Sequence, residues 1–163
     1  ATMTNRLRRV LAAVLSPLMR SRFAHRWLAP HLASAQLRLH RLSRGRVQLS
    51  SILVPSLILV TVGAKSGLRR ETPLMCWPEA DGSYLVSGSN WGRPQHPGWT
   101  ANLIAHPDAE VIFRRGQVPV TAVLMAGVER EALWSVLEAQ WPDYRSYEAA
   151  AGREIRIFRL QPR

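Results

Sequence analysis

Apolar residues recur along this chain in two rhythms. Between residues 5 and 19, Leu7, Val10, Leu11, Val14, Leu15 and Leu18 fall at helical spacing, with Arg6 and Arg9 off the stripe and Pro17 limiting or kinking the helix near its end. Phe23, Trp27 and Leu28 form a second apolar group before Pro30, and a third segment places Leu32, Ala35, Leu39 and Leu42 on one face with Arg38, His40 and Arg41 around it. Gly45 and the polar residues 48–51 then mark a linker, after which the rhythm shortens. Residues 57–62 are a continuous β-prone run, as expected of a strand covered on both faces. Thr72, Leu74 and Cys76 alternate with Pro73, Met75 and Trp77 as a second strand, and Asp81-Gly82 signals a hairpin into a third at residues 84–86. Val111 and Phe113 mark a fourth, Arg115-Gly116 turns the chain, residues 118–125 form a fifth, and residues 155–160 form the last. Three helices are expected between these strands. One starts at Pro97, carries Trp99 and Leu103 and ends at His106-Pro107; another runs over residues 129–140 with Leu133, Val136 and Leu137 inward and is closed by Pro142; a short one lies near residues 144–150.

About six strands, mostly joined by hairpins, with helices inserted among them and attached in front, predict an α+β barrel. At 163 residues the chain is one ordinary domain. Its organisation divides into a basic amphipathic helical segment, residues 1–46, and a barrel domain, residues 47–163.

Charge sharpens that division. No Asp or Glu precedes Glu71, so residues 1–70 carry 12 Arg and Lys65, or +13, whereas residues 71–163 carry 9 Arg against 11 acids, or −2, giving the net +11. An anionic partner is implied, whether a lipid surface, a nucleic acid or a polyanionic ligand tail. For residues 1–46 three readings compete: packing on the barrel, peripheral contact with anionic membrane lipid at the inner face of the cell membrane, and an export signal around Arg8-Arg9. The last is weakened because Arg20, Arg22 and Arg26 interrupt the path to a cleavage-like Ala33-Ser34-Ala35. No apolar stretch reaches the roughly 20 residues that span a bilayer. The lone Cys76 excludes a disulfide within the chain, which makes a buried structural thiol and a cytoplasmic protein the default.

The candidate chemistry lies between Gly63 and Asn102. In Gly63-Ala64-Lys65-Ser66-Gly67, two glycines permit positive φ, so that consecutive N–H groups can converge on an anion beside the Ser66 hydroxyl and the Lys65 charge; Arg70 offers a planar fork. Taken alone, this hairpin reads as a solvated turn, and the spacing is not that of a P-loop. Ser87-Gly88-Ser89-Asn90-Trp91-Gly92 ends a strand where hydroxyls and backbone groups can meet the polar edge of a flat ring. Trp91 and Trp99 read equally as core aromatics.

The order Gly-x-Lys-Ser-Gly, Arg70, Thr72-Pro73-Leu74, Ser89-Asn90-Trp91-Gly92, His96-Pro97, Trp99 and Asn102-Leu103, continued through Trp141-Pro142-Asp143-Tyr144, resembles the deazaflavin-dependent nitroreductase and F420-dependent quinone reductase family over residues 55–160. The resemblance implies a split β-barrel that uses coenzyme F420, an 8-hydroxy-5-deazaflavin. It assigns cofactor binding to Lys65, Ser66, Gly67, Arg69, Arg70, Thr72, Pro73, Leu74, Ser87, Gly88, Ser89, Asn90, Trp91, Trp99 and Asn102. It assigns the acceptor wall to Trp141, Tyr144 and Tyr147, with Tyr144 as the catalytic group. Ala64 stands where the family usually carries Arg, so that one tail or phosphate contact is either missing or supplied by Arg69.

His96 before Pro97 reads as structural, capping or packing, and His25, His31, His40 and His106 are scattered without a carboxylate or thiol at ligand spacing, so no metal is expected. No Ser or Cys has a base in a nucleophile motif, and hydride transfer needs none because the cofactor carries the difficult step. The expected activity is F420-dependent reduction of a small-molecule hydride acceptor: quinone-like, nitroaromatic or an activated alkene. The alternatives are an FMN-binding split-barrel oxidoreductase and a non-catalytic basic module that binds membrane or nucleic acid. Aromatics interleaved with Lys and Arg on adjacent strands are absent, so nucleic acid is not expected.

Overall fold

The computed structural model describes residues 55–114, 116–140 and 144–163; the predicted N-terminal helices, the linker, Arg115 and Trp141 lie outside these residues. The strands are β1 (Ser56–Val62), β2 (Arg69–Met75), β3 (Trp77–Pro78), β4 (Tyr84–Ser87), β5 (Asp108–Phe113), β6 (Gly116–Leu124) and β7 (Ile157–Pro162). They form one curled antiparallel sheet in the order β2-β1-β5-β6-β7-β4-β3. Three helices attach to it: α1 (Gly98–Ala105), α2 (Gly127–Gln140) and α3 (Ser146–Ala151). With the helices segregated around a curled sheet, the architecture is α+β.

Seven strands replace the expected six because the second breaks at Cys76. Residues 69–75 pair with β1 at one edge of the sheet, while Trp77 and Pro78 pair with β4 at the other. The chain must change partners at the corner, and there the Cys76 amide turns to the carbonyl of Pro55, 2.9 Å away. The alternation fails at the same place, since Cys76 and Trp77 are both buried. Burial pushes the Cys76 thiol up to about 12, so it is an inert thiol. Pro73 is tolerated because β2 is an edge strand.

β1 is buried along residues 56–61, as its unbroken apolar run predicts. Leu57 and Leu59 point into the barrel with Val86, Trp99, Leu103, Val111, Val120, Phe158 and Leu160. A second cluster under α2 gathers Trp77, Leu85, Leu133, Trp134, Leu137, Tyr144, Ile155 and Ile157. Here the helix face differs from expectation. Val136 is 44% exposed, and Trp134 is buried in its place between the guanidinium groups of Arg130 and Arg145, 5.3 and 4.9 Å from its ring. Arg130 is itself buried and pairs with Glu148 and the Ile155 carbonyl, so a charged residue occupies the inward stripe at 130, 133, 134 and 137.

Gly88, where β4 leads into the site, admits no side chain. A Cβ there would lie 2.8 Å from Thr100 Cγ2 and 3.4 Å from the Arg156 carbonyl, while the Gly88 amide already donates to that same carbonyl at 2.8 Å. Gly88→Ala should therefore cost about 1–3 kcal/mol of stability, read as a lowered urea midpoint at unchanged slope.

Candidate active site

Two cavities adjoin at the end of the barrel. The smaller, of about 350 Å³, is lined by β2 from Thr72 to Met75, by Ser87, Ser89, Asn90, Trp91 and Arg93, by Pro97 and Trp99, and by Tyr144 and Tyr147. The larger, of about 870 Å³ and more open, is lined by Gly63, Ala64, Lys65, Ser66, Arg70, Glu71, His96, Gly98, Ala101 and Asn102. Thr72, Asn90, Pro97 and Trp99 belong to both and mark where they meet.

The basic hairpin closes by backbone hydrogen bonds from Gly63 to Leu68 at 2.9 Å and from Gly67 to Gly63 at 2.8 Å. Only Gly67 uses positive φ, at 65°. Gly63 serves a close approach instead, since a Cβ there would meet Ser66 Oγ at 2.5 Å. Asn102 ties this hairpin to α1: its Oδ1 accepts from the Ala64 amide at 2.9 Å, and its Nδ2 donates to Thr61 Oγ1 at 3.0 Å. Lys65, Ser66 and Arg70 are left exposed at the rim of the groove, and the amino-terminal turn of α1 adds a favourable end for negative charge.

Around the smaller cavity the polar groups are few. Ser87 Oγ is buried and makes no hydrogen bond of ordinary geometry among the described residues. The Tyr144 hydroxyl donates to Ser89 Oγ at 3.2 Å. Burial pushes the Tyr144 phenol above its ordinary value of 10, against the opposing influence of Ser87 and Ser89, so it stays protonated and can donate. Its ring is locked edge-on between Trp77 at 5.3 Å and Tyr147 at 5.5 Å. Tyr144 precedes α3, outside the short helix expected near residues 144–150, and meets Tyr147 edge to face. Asn90, Trp91 and Gly92 have φ of 48°, 58° and 72°, a left-handed run that is uncommon for asparagine and an outlier for tryptophan. It turns Trp91 onto the cavity rim.

A family model of the F420H(2)-dependent quinone reductases matches residues 34–162. The chain belongs to that family. An F420H(2)-dependent quinone reductase of Mycobacterium tuberculosis is 34% identical over 146 residues, covering 85% of this chain and 97% of the relative. Among solved structures, the F420-H2-dependent reductase FDR-A is 35% identical, with 66% of this chain and 94% of that one covered at a TM-score of 0.59. A second, described as a domain-swapped dimer, is 31% identical over 78% of this chain and 96% of its own, with a TM-score of 0.62. The fold is thus a split barrel, and membership places the chain among the F420-dependent oxidoreductases; the FMN alternative has no support from these relatives.

Within this quinone reductase relative, the cavities bring together most of the residues that the motifs single out, from Lys65 to Tyr147. Three stand apart. Gly67 forms the tip of the hairpin away from both cavities. Arg69 pairs with Glu71 and with Glu110 at 3.8 Å and lines neither cavity, so it does not fill the place left by Ala64. Gly88 lies behind the wall, where its role is close packing. Asn102 lines the groove, but its amide is engaged in holding the hairpin. Trp141 is outside the described residues. Among those residues no group of three His, Cys, Asp or Glu could hold a metal, and no helix is long and apolar enough to cross a membrane.

The sequence pattern missed Arg93, Met75 and the partner of His96. The His-Pro pair hinted at a structural histidine, and His96 Nδ1 lies 3.1 Å from Arg153 Nη1. Burial, then Arg153 and Arg156, holds His96 below its ordinary value of 6.5. As pH falls, the unfolded chain therefore takes up this proton before the folded one does; the stability is full above about pH 6.5 and declines below it. His96→Gln should flatten that part of the decline, measured as the difference between the two proteins in urea midpoint at about pH 7 and about pH 5. Parallel curves would show that His96 carries no such linkage.

Proposed function

We propose that this chain binds reduced F420 across both cavities and reduces a quinone-like acceptor, the smaller cavity receiving ring and acceptor and the basic groove the anionic end of the cofactor. The observation that carries this reading is the union of an apolar cavity, containing a buried hydroxyl left without a hydrogen-bond partner among the described residues, and an open cationic groove through four shared residues. A ligand with a flat apolar ring, a polar ring edge and a polyanionic tail matches that division.

When bound, the reduced cofactor supplies the hydride. Lys65, Ser66 and Arg70 hold its negative charge; Thr72, Pro73, Leu74 and Trp99 pack the ring; Ser87, Ser89 and Asn90 meet its polar edge. Trp91 and Tyr147 wall the acceptor. Tyr144 lines the cavity, and its phenol, kept protonated by burial and hydrogen-bonded to Ser89, is suited to donate to the oxygen of a carbonyl acceptor. Nitroaromatic and activated-alkene acceptors fit the same chemistry where their size allows.

If the hairpin holds the anionic end, Lys65→Ala or Arg70→Ala removes a charge-assisted contact of roughly 1.5–3 kcal/mol, a loss of about ten-fold or more in affinity. Fluorescence titration with F420 at low and high salt measures it, and salt should weaken binding to the parent protein. Unchanged affinity in both variants would move the anionic end elsewhere.

On the acceptor side, Tyr144→Phe should lower kcat on the order of 100-fold while F420 affinity stays within about two-fold. A cavity of this size favours a planar quinone such as menadione over a bulky bicyclic nitroimidazole. Equal kcat/KM of parent and variant with menadione would exclude Tyr144 from the reaction.

Residues 1–46 carry an apolar stripe with ten arginines, from which we infer peripheral contact with anionic lipid. Flotation with phosphatidylglycerol or cardiolipin vesicles should retain the chain, and high salt should release it. Equal flotation with neutral lipid, or none with either, would assign the segment to the protein instead.

A further inference from the structure

Arg153, in the link between α3 and β7, lines neither cavity, yet its guanidinium makes six polar contacts. Nη2 donates to the carbonyls of Gly88, Ser89 and Gln95 at 3.2, 3.3 and 3.2 Å. Nε donates to the Arg93 carbonyl at 3.2 Å, and Nη1 reaches His96 Nδ1 at 3.1 Å and the Glu154 carbonyl at 3.4 Å. Five of these six acceptors lie in one segment, residues 88–96.

That segment is the shared wall of the two cavities. It supplies Ser89, Asn90, Trp91 and Arg93 to the smaller and Asn90 and His96 to the larger. It also contains the left-handed run at Asn90, Trp91 and Gly92, a conformation that persists only where surrounding contacts over-determine it. The Asn90 side chain adds one such contact, donating to the Gln95 carbonyl at 2.8 Å. Arg153 grips the chain on both sides of the run, at the carbonyls of Ser89, Arg93 and Gln95. A planar fork can serve several carbonyls at fixed angles, whereas an ammonium group cannot. Because one of its contacts is the Ser89 carbonyl, and Ser89 Oγ receives the Tyr144 hydroxyl, the same guanidinium fixes the partner of that hydroxyl.

We propose that Arg153 is a positioning residue for the reaction: it holds the segment 88–96 in the strained conformation that walls both cavities, and so sets affinity for cofactor and acceptor together without touching either. In its consequences for binding, this rests on the function proposed above. Lys65, by contrast, serves the anionic groove alone.

The test begins on the protein without cofactor. In Arg153→Ala, amide hydrogens of residues 89–96 should exchange at least ten-fold faster than in the parent, while those of β1 keep their protection. The F420 Kd and the acceptor KM should both rise about ten-fold, with a smaller fall in kcat, and millimolar guanidinium should restore affinity where ammonium does not. Arg153→Lys keeps charge and stem, and so carries the same comparison if the alanine variant fails to fold; it should resemble the alanine variant in exchange and affinity. Unchanged exchange in 89–96, or a loosened segment with F420 affinity and acceptor KM within two-fold of the parent, overturns the proposal. Should the parent itself fail to bind F420, the proposed function falls, and the exchange comparison still decides whether Arg153 holds the segment.

Discussion

A chain segment that must face a cavity with its side chains turns its carbonyls elsewhere, and in this protein they converge on Arg153. The carbonyls of Gly88, Ser89, Arg93 and Gln95 all accept from that one guanidinium. A buried carbonyl without a donor is costly, and several facing one point are worse because their dipoles repel. A cation with a fixed fork of donors solves both problems at once, and half-burial of the group lowers its own affinity for a proton without discharging it. The left-handed turn at 90–92 depends on this arrangement, and the shape of both cavities depends on the turn.

The rest of the structure supplies a rigid frame. Gly88 is pressed against Thr100 and the Arg156 backbone, while Arg156 Nη1 donates to Thr100 Oγ1 at 3.1 Å. On the far side, Arg130 joins α2 to Glu148 on α3 and to the Ile155 carbonyl, which sets the level at which Tyr144 and Tyr147 enter the smaller cavity. Breaking such a buried pair leaves an uncompensated charge, so this clamp resists rearrangement even if its net contribution to stability is small. Polar groups around the smaller cavity are few: Ser89 Oγ receives the Tyr144 hydroxyl, and the Asn90 amide donates to the Gln95 carbonyl.

Electrostatics divides the site. The apolar cavity offers hydroxyls and a phenol kept neutral by burial, and the groove beside it offers Lys65, Arg70 and the favourable end of a helix. Glu71 in the same groove is neutralised by Arg69, so an acid at the rim need not repel an anionic ligand.

By itself the sequence determined most of the described elements and many of the residues that line the two cavities. Period-two and continuous apolar runs place β1, β4, β5, β6 and β7, and the glycine, proline and tryptophan motifs carry the family, because local backbone preference and one-sided burial are written in neighbouring residues. Tertiary structure alone decided what depends on distant partners. The break at Cys76 follows from pairing with opposite sheet edges; the replacement of Val136 by Trp134 follows from two arginines packing on one indole. Arg69 is drawn away by Glu71 and Glu110, and Arg153 reaches back some 60 residues to the carbonyls around Gly88. A lone arginine after a short helix has no periodicity and no motif of its own. Its partners are backbone carbonyls, which every residue possesses, so only the folded chain reveals which of them meet.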